Sequence, residues 1–118
     1  MSSPSRFVRA FVYAHAAPME ETSDQSVATA FHLLNSFDIA PGTICTEAGS
    51  KAGGGVAAIE MTQWMAVSDL KNLRFYIRTY DGYDTQAIDL KAAKLDAPGI
   101  VFLPLNKPGA PKNVTPLH

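Results

Sequence analysis

The chain has 118 residues, 47% of them hydrophobic and 18% charged, which excludes a disordered chain and fits one packed domain or less. Ten Lys and Arg against eleven Asp and Glu leave a net charge of −1, with no basic excess to hold a phosphate backbone, so nucleic acid is not an expected partner. One cysteine, Cys45, excludes a disulfide framework and a thiolate zinc cluster. The first residues carry no apolar signal segment, and no apolar run approaches the ~18 residues of a membrane helix, so no membrane partner is expected.

In chain order, the first informative segment is Arg6 to His15. Its Phe, Val and Tyr content predicts a central strand with Val8, Ala10, Val12 and Ala14 on one face and Phe7, Arg9, Phe11 and Tyr13 on the other. Arg6 then stands at the start of that strand, on the edge of an apolar surface. Pro18 ends the segment. Thr22-Ser-Asp-Gln25 matches a capping box, and Val27, Phe31 and Leu34 recur at helical spacing, which predicts an amphipathic helix over residues 23–37, laid on a sheet and stopped by Pro41-Gly42. Residues 38–56 hold five of the eight glycines and read as a loop. Gly53-Gly-Gly55 is not followed by the Lys-Ser/Thr ending of a phosphate cradle.

Ile59 to Ser68 and Leu73 to Tyr80 alternate, the Asp69-Leu-Lys-Asn72 and Asp81-Gly82 stretches are turn signals, and Thr85 to Leu90 supplies a third strand. This is an antiparallel meander. One face carries Leu73, Phe75 and Ile77; the other carries Arg74, Tyr76, Arg78 and Tyr80 and reads as a solvent or interface face. Ile100 to Leu103 is a candidate edge strand, and residues 106–118 read as an extended Pro-rich tail. The fold class is α+β: a mostly antiparallel sheet with one main helix packed on it. A first strand apolar on both faces needs a second layer that the sequence does not supply, so the fold is expected to be half of a larger one.

Few residues carry chemistry. His15, His32 and His118 are too scattered for a metal site, and no cofactor is expected. Cys45 sits in a Gly/Pro loop without an adjacent histidine, as a small loop residue does; Asp81 and Asp84 read as turn residues. Arg6, beside Ser2, Ser3 and Ser5, has two readings. It is either a surface cation or a guanidinium that lowers a thiol pKa or orients a carbonyl or carboxylate.

Ser2-Ser-Pro-Ser-Arg-Phe-Val-Arg-Ala10 resembles the S-S-x-S-R-F-V-R-A stretch of the choloylglycine hydrolases, the family of bile salt hydrolases and penicillin V acylases. In the same order follow Phe31-His-Leu-Leu34, the Gly/Cys loop, Thr62-Gln-Trp64, Asp69-Leu-Lys-Asn72, Arg74-Phe-Tyr-Ile-Arg-Thr-Tyr80 and Ile88-Asp-Leu90. From Ser2 to about Leu105 the chain looks like roughly the last third of such an enzyme. The resemblance implies half of a four-layer αββα N-terminal-nucleophile hydrolase. There an N-terminal cysteine attacks a linear amide with its own α-amino group as base, and water releases the acyl-enzyme. By motif position Arg6 is the family's second arginine and a candidate catalytic residue. The loop Asp38 to Thr46 is a candidate wall of the substrate pocket. The nucleophile, an early Arg and Asp, and an Asn lie in parts of the family that this sequence does not match. Cys45 is internal, so the 118 residues alone are expected to be inactive as an amidase.

The expected partners are therefore a small-molecule amide and either the missing N-terminal part or a second copy. The alternative is a truncated, non-catalytic relative that binds a ligand or assembles with itself. Isolated, the chain is expected to be oligomeric or poorly soluble. Whether the substrate is a bile salt or penicillin V, and whether the compartment is cytoplasmic or periplasmic, stay open.

Overall fold

The computed structural model describes residues 3–49, 57–82, 84–94 and 96–105. The Gly53–Gly55 stretch and residues 106–118, read above as a loop and a tail, lie outside them. Two helices precede five strands: α1 (Ser3–Ala16), α2 (Ser23–Asn35), β1 (Ile44–Thr46), β2 (Ala58–Glu60), β3 (Trp64–Asp69), β4 (Arg74–Thr79) and β5 (Gln86–Asp89). β1 and β2 form one antiparallel pair, and β3-β4-β5 form the antiparallel meander. The class is α+β, and α2 is the helix that packs on the meander. No helix among the described residues is long and apolar enough to cross a membrane.

The first element corrects the sequence reading, because the expected strand over residues 6–15 is a helix. Pro4 sits in its first turn, where a missing N–H costs nothing. Aromatic and β-branched residues lose only a few tenths of a kcal/mol each in a helix, and Ala10, Ala14 and Ala16 offset that. A polar stripe does exist at helical spacing, formed by Arg6, Arg9 and Tyr13, opposite Phe7, Val8, Phe11 and Val12.

α2 starts where its sequence indicates and ends at Asn35, two residues short of the expected end, with Ser36 as its C-cap rather than at Pro41-Gly42. The Gln25 amide N–H donates to Thr22 Oγ1 at 3.2 Å while the Thr22 N–H donates to Gln25 Oε1 at 3.0 Å, closing the capping box. Phe31 is 7% exposed and forms the buried centre among the described residues. Burying its ring contributes roughly 3 kcal/mol before entropy is counted. The Arg78 guanidinium lies 5.3 Å from that ring and donates to Asn35 Oδ1 and to Met65 Sδ.

These contacts correct a second expectation, about the sheet's faces. Cross-strand partners share a face, so Met65 with Arg78, Val67 with Tyr76, and Asp69 with Arg74 define one side of the sheet. That side, read above as the solvent or interface face, is the one α2 covers. The long stems of Arg and Tyr supply apolar area while their polar ends stay wet at the rim. The more apolar side, with Ala66, Phe75, Ile77 and Ile88, faces away from α2. Leu103 and Leu105 border, with Ile77 and Ile88, an open cavity of about 290 Å3. The expected edge strand at Ile100–Leu103 does not form; Ile100 and Phe102 are 84% and 86% exposed.

A clasp fixes the α2 N-terminus to the β3–β4 turn. Asp69 accepts hydrogen bonds from the Ser23 hydroxyl, from the Asn72 N–H at 3.0 Å and from Asn72 Nδ2 at 2.7 Å. The turn leaves Leu73 in the left-handed region (φ 56°), so β4 starts one residue later than the alternation suggests.

The expected continuous strand over residues 59–68 is divided. Its first part pairs with β1 inside the region read as loop, matching Ile44 with Glu60 and Cys45 with Ile59. Its second part joins the meander as β3. Between them the Thr62 N–H donates to Ile39 O at 3.0 Å and the Ile39 N–H donates to Thr62 Oγ1 at 2.9 Å. This exchange joins the chain after α2 to the segment between β2 and β3, beside the start of β3.

Candidate functional site around Arg6

Arg6 lies in the first turns of α1 and is half-buried. It is not at the start of a strand, as the sequence suggested. Two neighbours on the same side of the helix attach α1 to the chain following α2. Arg9 donates to the Ser36 carbonyl at 3.1 Å, and the Tyr13 ring meets Phe37 edge-on with centroids 6.4 Å apart. Arg6 follows the same stripe and lines a cavity of about 200 Å3 together with Ser36, Phe37, Asp38, Ile39, Thr43 and Ile44.

The structure thus brings together the two candidates that sequence had placed separately, Arg6 and the loop Asp38 to Thr46. The loop is held by local chemistry. The amides of Ser36, Phe37 and Asp38 donate to Leu33, Leu34 and Asn35 carbonyls, closing the end of α2. Ala40-Pro-Gly-Thr43 is a β-turn in which the Thr43 N–H donates to Ala40 O at 3.2 Å. Gly42 takes the φ of 83° that the third position of a type II turn requires. The Thr43 hydroxyl also donates to Ala40 O at 2.7 Å, stiffening the rim.

Asp38 also borders a second cavity of about 490 Å3, lined by Thr62, Trp64, Met65, Arg78 and Tyr80. Trp64 and Tyr80 are 60% and 49% exposed. Sequence reading missed Ser36, Phe37, Trp64 and Tyr80 as lining residues. No short-range pattern marks them, because each cavity joins residues distant in the chain: Ser36 and Phe37 with Arg6, and Trp64 and Tyr80 with Asp38.

The remaining candidates stay apart from Arg6's cavity. Cys45 is exposed on β1, its thiol 3.9 Å from the Gly42 carbonyl. His15 is accounted for within α1, where it stacks on Phe11 with centroids 4.1 Å apart and its Nδ1 lies 2.9 Å from the Phe11 carbonyl. His32 is exposed on α2, Asp81 and Asp84 are exposed around the turn after β4, and His118 lies outside the described residues. No group of three or more His, Cys, Asp or Glu among the described residues is placed to hold a metal ion. Chemically, then, the Arg6 cavity offers a guanidinium, the hydroxyls of Ser36 and Thr43, the Asp38 carboxylate and apolar walls, a set in which the guanidinium can donate to a carbonyl.

Among curated proteins, the chain is similar to one of Paramecium bursaria Chlorella virus 1 named "Uncharacterized protein A284L", with 29% identity over 87 residues. That alignment covers 74% of this chain and 30% of the viral protein, so the chain spans about a third of its relative's length. The profile of the linear amide C–N hydrolases, choloylglycine hydrolase family, matches residues 1–103, which is most of the sequence and includes Arg6, the loop and the meander; the chain belongs to that family.

Proposed function

We propose that these residues form the Arg6-bearing part of a cysteine N-terminal-nucleophile hydrolase that cleaves the C–N bond of a linear amide, a conjugated bile acid or penicillin V. The observation that carries the reading is the family match over residues 1–103, with Arg6 and the loop after α2 lining one cavity. The thiol nucleophile belongs to a segment outside these 118 residues. It attacks the amide carbonyl, with its own α-amino group taking the proton, and the amine leaves from an acyl-enzyme that water then hydrolyses. Arg6 donates to the substrate's carbonyl or carboxylate and favours the thiolate by its charge. Cys45 takes no part.

The test is hydrolysis of glycocholate and penicillin V by the protein from its native cells, with intact mass measured on the same sample. Arg6→Ala is expected to lower kcat/KM by about 100-fold, the scale of losing one donor to a developing oxyanion, with Arg6→Lys recovering part of it. Cys45→Ala is expected to leave turnover unchanged. The isolated 118-residue polypeptide is expected to turn over neither compound. Full activity of Arg6→Ala on both would sink the assignment.

A further inference from the structure

Arg6, Arg9 and Tyr13 share one side of α1 and reach the same short stretch of chain. At the helical angle per residue, Arg9 stands about 60° and Tyr13 about 20° from Arg6 around the axis, roughly one and two turns further along. The Arg9 guanidinium donates to the Ser36 carbonyl at 3.1 Å, and the Tyr13 ring meets Phe37 edge-on. Ser36 and Phe37 also line the cavity of Arg6. These contacts therefore grip the wall of the cavity itself.

The acceptor is held from behind. Ser36 is the C-cap of α2, and its N–H and its hydroxyl both donate to the Leu33 carbonyl, at 3.1 and 2.6 Å. A cation on the Ser36 carbonyl also meets the negative end of the α2 dipole. Two cations one turn apart on a helix repel, and at Arg9 the carbonyl and the dipole offset that cost. Resting on the hydrolase reading above, we infer that Arg9 is a positioning residue for Arg6: its bond to Ser36 sets the rotation of α1 and so the place of the Arg6 guanidinium in the cavity. Arg9 is not itself catalytic. Among the described residues it is Arg6 that borders the cavity, while the Arg9 guanidinium is engaged at Ser36. The leverage is large, because a turn of α1 by about 10° carries a group roughly 6 Å from the axis through about 1 Å. A misplacement of about 1 Å at a reacting centre costs on the order of 100-fold in rate.

The test is a double-mutant cycle on hydrolysis of glycocholate and penicillin V by the protein purified from its native cells. Arg9→Ala is expected to lower kcat/KM about 10-fold, chiefly through kcat, with Arg9→Lys recovering most of the loss. Placed on top of Arg6→Ala, the same change is expected to cost less than about 2-fold more, because the group it positions is already gone. Arg9→Gln, which keeps a shorter donor, runs the same cycle where Arg9→Ala fails to fold. Full activity in Arg9→Ala overturns the inference. So does an undiminished loss on top of Arg6→Ala, which is what a merely structural role gives. A loss of about 100-fold in Arg6→Ala beside an unchanged Arg9→Ala leaves the hydrolase reading of Arg6 standing and removes only the positioning role. Full activity in Arg6→Ala removes both.

Discussion

The two helices are nearly equal in length and opposite in how they are held. α2 lays its stripe on β3, buries Phe31, caps its first turn with Thr22 and ties that turn to the meander through Ser23, Asp69 and Asn72. α1 meets the chain after α2 through the Arg9 guanidinium on the Ser36 carbonyl and the Tyr13 ring on Phe37, with its apolar residues facing outward. A helix whose apolar stripe is covered carries its own stability. One whose stripe is exposed draws less stability from packing, and here that helix carries Arg6.

The largest expected effect separates the two directly. Phe31→Ala should destabilise the α2–meander unit by about 3–5 kcal/mol in urea unfolding, because it removes the central ring and the surface on which Arg78 rests. Phe11→Ala, which removes an equally large ring from α1, should change that midpoint little, since the ring is 56% exposed. An equal loss from both would erase the distinction between the helices.

An acid titration sharpens the same contrast. Hydrogen bonds from the Ser23 hydroxyl and from Asn72 hold the Asp69 carboxyl at about 2, below its ordinary 3.8. Between those values the unfolded chain binds more protons at this site than the folded one. The stabilisation from the clasp is therefore complete above about pH 4 and is lost as pH falls through 2. Hydrogen exchange at the start of α2 should accelerate over that window, and in Asp69→Asn this pH-dependent step should disappear. The smallest effect is at the cap itself: Thr22→Ala should cost about 1 kcal/mol, read from thermal unfolding, with no change in α1.

Local chemistry made part of this fold legible. The capping box from Thr22 to Gln25, the Ala40–Thr43 turn and the Asp69–Asn72 turn are contacts among residues one to four positions apart. α2, the meander and the α+β class follow from them. The same pass misassigned α1 because Phe and Val content outweighed the spacing of Arg6, Arg9 and Tyr13. It also joined β2 to β3, because nothing between residues 59 and 68 announces that Thr62 will pair with Ile39. The sheet face was misjudged for a related reason. Alternation separates two faces but does not say which one a helix takes, and Arg78 shields Phe31 as well as an aliphatic residue would.

By itself, then, the sequence determined the capped second helix, the three-stranded meander, the resemblance that identified the family, and Arg6 as the residue to watch. Only the tertiary structure decided that Arg6 rides on a helix, that it shares a cavity with Asp38 and Thr43, and that α1 turns its apolar stripe outward. Backbone preferences and caps are set by near neighbours. The side of a helix or sheet that is covered is set by residues distant in the chain, as Phe31 and Arg78 show for α2 and the meander.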